Sequence, residues 1–183
     1  MHRLFVACVP PAGIRRSLLD RMGGVNGARW QTDAQLHVTL RFVGAVDGRT
    51  ADAVAESLAA VRATAFEVAL RGVGLFEKKG KVHSLWAGLS PVEPLAALHA
   101  RIDRALVAIG LPPEQRAYRP HVTLARMAKP AAAVAPFLSH HADLSSPPFT
   151  VEAFTLFESV PTSEGSVYRP VATYGLLSPS KPL

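Results

Sequence analysis

Cysteine is almost missing from this chain of 183 residues: Cys8 stands alone. No intramolecular disulfide can form and no cysteine cluster can hold a structural metal, so a reducing, cytoplasmic setting is expected. Cys8 lies in the apolar run at residues 4–9 (LFVACV), where a buried thiol is the ordinary reading and a nucleophile the rarer one. Long hydrophobic runs are absent too. The 4–9 run is shorter than the ~7–15 residues of a signal-peptide core and stops at Pro10-Pro11. Nothing approaches the ~18 apolar residues of a membrane span. Acidic residues are in deficit, 14 Asp+Glu against 20 Lys+Arg, for a net charge of +6. A basic surface attracts polyanions, nucleic acid above all, although the same charge also keeps a small domain soluble. The 15 Pro and 13 Gly follow no fixed period, which excludes a collagen-like chain. There is no G-x-S-x-G elbow for a serine nucleophile. No H-x-H or H-x-x-x-H pairing suggests zinc.

What is present is a globular composition, 49 % hydrophobic and 19 % charged, enough apolar surface for one domain or two small lobes. Residues 4–9, 36–43, 66–70, 73–76, 82–89, 118–126, 149–158 and 167–177 read as strand material. Helices are expected between Pro10-Pro11 and Gly23-Gly24, over 50–63 on a stripe of Ala51, Val54, Leu58 and Val61, and over 91–109 on Leu95, Leu98, Ile102, Leu106 and Ile109. Residues 78–81 (KKGK) form a hairpin tip, and the Ala/Pro-rich stretch 129–148 holds a short helix at best. A unit recurs: strand, helix, then HVTL, reaching His37 and again His121. Each copy continues into F-x-V, L-F-E, a polar turn and another strand. The expected fold is therefore α+β: two pseudo-symmetric lobes, each a mainly antiparallel sheet with helices outside, around a central cleft. Residues 1–183 form one two-lobed domain, with units at roughly 1–89 and 82–183 sharing or exchanging strands.

His37-Val38-Thr39-Leu40 and His121-Val122-Thr123-Leu124 are identical. Composition alone gives about 0.04 expected H-x-T-L matches, so two by chance is on the order of one in a thousand. In a strand, residues i and i+2 share a face with Cα atoms ~6.5 Å apart. His37 and Thr39 thus face one way, Val38 and Leu40 the other, and likewise His121 and Thr123. A twofold axis would gather two imidazoles and two hydroxyls about one small site. Such a site suits a phosphodiester. Imidazole titrates near neutrality, so one ring can deprotonate the nucleophile while the other protonates the leaving oxygen, each transfer typically worth ~10²–10⁴-fold. The threonines can donate to phosphate oxygens. Arg126 could neutralise developing charge, but strict alternation turns it to the wrong face, so it needs a bulge, a strand end or its long reach. A single strand histidine is usually structural; the matched pair favours catalysis.

Paired H-x-T-x tetrads about eighty residues apart resemble the 2H phosphoesterase superfamily. Arg3-Leu4-Phe5-Val6-Ala7, residues 36–44 (LHVTLRFVG), 119–126 (RPHVTLAR) and 154–159 (FTLFES) with Tyr168 resemble its bacterial RNA 2′,3′-cyclic phosphodiesterases, also called 2′-5′ RNA ligase-like proteins. The resemblance implies hydrolysis of RNA 2′,3′-cyclic phosphate ends to 2′-phosphomonoesters, with no metal and no cofactor. It implies His37 as proton donor and His121 as proton acceptor; the identical tetrads cannot assign those roles themselves. Thr39, Thr123 and Arg126 would bind the phosphate. The expected partner is RNA with a 2′,3′-cyclic end, or a nucleotide-like cyclic phosphate, met by a cytoplasmic monomer away from membranes.

Two rival readings stand beside this one. A related enzyme could act on small cyclic phosphates or 2′-5′ linkages, including reversible 2′-5′ RNA ligation. A non-catalytic RNA-binding module could have kept the fold, though binding alone needs no matched imidazoles. Arg41 shares the parity of His37, which would admit it to the cleft, although the family tolerates variety there. Phe5, Trp30, Trp86 and Tyr118 are stacking candidates, with core the better reading for Phe5 and Trp86. Lys78, Lys79 and Lys81 could track phosphates or simply be solvated. His140-His141 read as exposed, and His2, His83 and His99 have no partner that sequence can name.

Overall fold

The computed structural model describes residues 1–127, 134–163 and 165–179. In chain order the strands are β1 (His2–Cys8), β2 (Ala28–Trp30), β3 (Val38–Val46), β4 (Phe66–Lys78), β5 (Lys81–Ser90), β6 (His121–Met127), β7 (Phe149–Val151), β8 (Ala153–Thr162) and β9 (Gly165–Gly175). The helices are α1 (Ala12–Leu19), α2 (Gly48–Ala59), α3 (Glu93–Ala108) and α4 (Ala135–His140), with a 3₁₀ turn at Asp33–Gln35. The strands run in the order β7-β4-β5-β6-β3-β1-β8-β9, with β2 added alongside β6. Every pairing between these strands is antiparallel. The fold is α+β, as its pattern of short strands and few helices implied.

The centre of the sheet lies between the two tetrads. β3 meets β6 with Val38 directly opposite Val122, so like residues face each other about a local twofold. β4, which follows the first tetrad in the chain, pairs with β5 in the half carrying the second. β8, which follows the second, pairs with β1 in the half carrying the first.

Helical periodicity puts Leu95, Leu98, Ile102 and Leu106 of α3 in the core at 0–1 % exposure. Val54 and Leu58 of α2 and Leu18 of α1 are equally enclosed. Burying each such side chain contributes about 1.5–3 kcal/mol, and truncating one, for example Leu98→Ala, costs about 2–5 kcal/mol. α2 starts where Asp47 accepts from Thr50 N at 2.7 Å and ends at Ala59, four residues before the end its stripe suggested. The β4–β5 tip has Lys79 at φ 54° and Gly80 at φ 72°, the paired positive values of a tight hairpin turn.

Two elements differ from the sequence reading. Residues 149–158 are not one strand: the chain leaves β4 after Val151, begins β8 at Ala153 against β9, and pairs with β1 from Thr155. β4 is continuous where two pieces were expected, with a register shift between Leu70 and Val73 around Gly72 at φ 68°. Strand β2 went unread because three residues carry no period. Part of the 129–148 stretch lies outside the described residues; within it, α4 is the short helix expected. No helix among the described residues is long and apolar enough to cross a membrane.

Candidate active site

Alternation works in both tetrads as far as the threonine. Val38, Leu40, Val122 and Leu124 are 0–2 % exposed, while His37, Thr39, His121 and Thr123 are half-buried on the opposite face. Each imidazole is oriented by its own chain two residues upstream. His37 Nδ1 donates to Gln35 O at 2.8 Å, and His121 Nδ1 donates to Arg119 O at 2.6 Å. With Nδ1 committed, Nε2 of each neutral ring is the acceptor and the reactive atom. Thr39 Oγ1 donates to His37 Nε2 at 3.0 Å; among the described residues His121 Nε2 takes no such bond.

At the fourth tetrad residue both strands bulge. β1 places Val6 opposite Arg41 and Ala7 opposite Thr39, skipping Leu40. β5 places Leu85 opposite Ala125 and Trp86 opposite Thr123, skipping Leu124. An extra residue on one strand reverses the facing of everything beyond it. Arg41 is thereby paired with the fully buried Val6, so parity with His37 does not carry it to the imidazoles; it stands at the edge of an adjoining pocket. It is 7 % exposed, with Nε 2.6 Å from Asp103 Oδ1 and further bonds to the carbonyls of Phe42 and Pro112. The second bulge turns Arg126 toward the cleft, where its charge bears on both histidines. The structural counterpart of Arg126 is therefore Phe42, not Arg41. Each bulge is held from outside: His99 Nδ1 donates to Leu40 O at 2.6 Å, and Gln31 N donates to Leu124 O at 2.8 Å.

Aromatic rings wall both imidazoles. His37 lies 5.0 Å from Phe5 and 5.3 Å edge-on to Tyr168. His121 lies 4.9 Å edge-on to Phe76 and 6.3 Å from Trp86. The Trp86 indole occupies the space above Gly74, where an added Cβ would come within 2.3 Å of the ring, so only glycine fits there. Burial pushes the His37 pKa down to about 4, and the charges of Arg126 and His121 add to the shift, against the Gln35 carbonyl. Burial and Arg126 also lower His121, against the Arg119 carbonyl. Both shifts favour the neutral rings.

A half-open pocket of about 370 Å³ opens beside His121, lined by Thr39, Arg41, Phe42, Phe76, Tyr118 and Arg119 among others. Tyr118 is not a free stacking surface: it stacks on His99 at 4.3 Å, and its hydroxyl donates to Thr39 O at 3.2 Å. Trp30 packs on Phe137 at 5.4 Å, and Phe5 is 4 % exposed. The lysines of the β4–β5 tip are exposed. Of the remaining histidines, His2 pairs with Glu158 at 2.8 Å and His140 and His141 stack edge-on at 4.7 Å. Sequence reasoning missed Phe42, Phe76 and Arg119. Phe76 was legible as the counterpart of Phe157 in the repeated L-F-E; Phe42 was not, because its facing depends on the bulge.

The RNA 2′,3′-cyclic phosphodiesterase of Aeropyrum pernix is 31 % identical over 140 residues, spanning 75 % of this chain and 80 % of that one. The protein of that name from Thermus thermophilus is 31 % identical over 186 residues, spanning 95 % and 90 %. The crystal structure of TT0787 from Thermus thermophilus matches with a TM-score of 0.78 at 25 % identity, covering 96 % of this chain and 98 % of that one. Relatives at this level are archaeal as well as bacterial, so the bacterial branch is not singled out. The family model of the 2′-5′ RNA ligase superfamily matches residues 10–161. On this match, which takes in both tetrads, the chain belongs to the 2′-5′ RNA ligase superfamily.

Proposed function

We propose that the protein hydrolyses RNA 2′,3′-cyclic phosphate ends to 2′-phosphomonoesters, with His37 as proton donor and His121 as proton acceptor. The observation that carries this reading is the matched pair of imidazoles on one face, each with Nδ1 tied to the carbonyl two residues upstream and Nε2 left for chemistry. The relatives named above carry the same activity in their names. The adjoining pocket, about 370 Å³, has the size of a small-ligand site.

His121 Nε2 takes a proton from water as the water oxygen bonds to phosphorus. The P–O3′ bond breaks, its electron pair stays on O3′, and His37 Nε2–H protonates that oxygen. A 2′-phosphomonoester and a free 3′-hydroxyl result; exchange with solvent returns the protons. Thr39 and Thr123 donate to non-bridging oxygens, and Arg126 offsets the charge that develops on them. In the resting site the Thr39 hydroxyl donates to His37 Nε2, which favours the neutral ring. A phosphate anion recruits that hydroxyl and at the same time favours the protonated ring, so the substrate itself arms the acid.

In this reading the chain is one two-lobed domain acting as a cytoplasmic monomer, and two imidazoles perform both transfers without a metal. The test is product identity. Wild-type protein in EDTA, given RNA with a 2′,3′-cyclic end, should yield only 2′-phosphate ends. A 3′-phosphate product, or activity that EDTA abolishes and one divalent ion restores, would contradict it.

A further inference from the structure

Beyond the tetrads, the same face carries a second cation. On β2 and β6, Arg29 stands directly opposite Arg126, and Trp30 opposite Ala125. Residues directly opposite in an antiparallel pair share a face. Trp30 and Ala125 lie on the far side, where Ala125 is fully buried and Trp30 packs on Phe137 of α4. Arg29 therefore projects with Arg126 on the side of His121. Its guanidinium reaches the β8–β9 hairpin, with Nη1 3.4 Å from where a Cβ on Gly165 would lie. Like charges directly opposite on a sheet are destabilising, and neither arginine belongs to an ion pair among the described residues. An anion lying between them would reverse the sign of that interaction, and bidentate guanidinium geometry suits phosphate. Arg126 is the inner member, acting electrostatically on both imidazoles; Arg29 is the outer one, on the strand flanking β6.

Resting on the reading of the reactive phosphate given above, we propose that Arg29 and Arg126 form a second phosphate site. It holds the phosphate on O5′ of the terminal nucleotide, so that the cleft reads the last two nucleotides of a strand and not the cyclic end alone. The ligand chemistry is a phosphate ester on O5′, whether the internal diester of an RNA or the terminal monoester of a free nucleotide.

Calorimetry with adenosine 2′-phosphate and adenosine 2′,5′-bisphosphate tests the site without turnover. Wild-type protein should prefer the bisphosphate by about tenfold, in the range of one charge-assisted contact. Arg29→Gln should bring that preference to within about twofold, and Arg29→Lys should keep part of it. Arg101→Gln, which removes the same charge from α3, should leave it intact. In parallel, the ratio of kcat/KM for a cyclic-ended dinucleotide to that for a cyclic mononucleotide should fall about tenfold in Arg29→Gln, chiefly through KM. A loss confined to the bisphosphate, with the dinucleotide ratio intact, would overturn the RNA form of the proposal. A preference unchanged by Arg29→Gln, or reduced equally by Arg101→Gln, would overturn the site itself. If wild-type protein turned over no cyclic phosphate yet showed the Arg29-dependent preference, the phosphodiesterase reading would fail and the site would stand.

Discussion

The two halves of the cleft share a backbone and differ in what they line it with. Equivalent positions across β8, β1 and β3 carry Phe157, Phe5 and Phe42 in register. Across β4, β5 and β6 they carry Phe76, Ser84 and Arg126, continued by Arg29 on β2. One wall is aromatic: Phe5 lies 5.3 Å from Phe157 and 6.3 Å from Phe42. The other wall keeps one aromatic ring in that row, Phe76 against His121, and is otherwise polar and cationic. Identical tetrads therefore sit in unlike surroundings, and the difference is visible in the imidazoles. His37, against the aromatic wall and hydrogen-bonded to Thr39, has its pKa pushed down to about 4, chiefly by burial. His121 opens toward the pocket beside the cation. Duplication supplies matched geometry; divergence at the flanking positions supplies two roles.

The largest way to break this comparison is to remove either ring. His37→Ala and His121→Ala should each lower kcat by roughly 10²–10⁴-fold. The double variant should lose far less than the product, since the two act as a unit. Removing the cation from the polar wall comes next. Arg126→Ala should cost about 10²–10³-fold in kcat, the range for one stabilising donor. It should also raise the pKa of both histidines, since its charge lowers both; NMR titration would read this.

Asp103→Ala should act on the first half alone. It leaves Arg41 buried without its ion-pair partner, at about 3–5 kcal/mol, measured by denaturant unfolding. The second half has Ala125 at the equivalent place and no such lock. Thr39→Ala should have the smallest effect, a few-fold on rate, because one hydrogen bond is lost. It should raise the His37 pKa, as the lost donor favours the neutral ring; Thr123→Ala should leave His37 unmoved.

The sequence made the tetrads, their shared face and the α3 stripe legible because each rests on local periodicity. Arg126 was recognised as needing a bulge, and a bulge exists, but its position at Leu124 could not be read. A bulge is defined by which residues the partner strand pairs, and β5 is more than thirty residues away in the chain. Parity misled at Arg41 for the same reason, since the skip at Leu40 is set by β1. The break at Glu152 depends on β7 and β8 finding different partners, which nothing in FTVEAFTLF announces.

The division of labour between the two histidines is tested most directly by kcat/KM against pH for wild-type protein and the two single variants. For wild type the rise on the acid side requires His121 to lose its proton, and the fall on the alkaline side requires His37 to keep its own. Both pKa values are lowered, so the bell should lie on the acid side of one centred at the ordinary imidazole value of ~6.5. The kcat profile should lie higher, because bound phosphate raises both. His37→Ala should keep only the acid limb, its residual rate rising with pH, and His121→Ala only the alkaline limb, falling with pH. A bell retained in either variant, or the two limbs exchanged between them, would contradict the assignment.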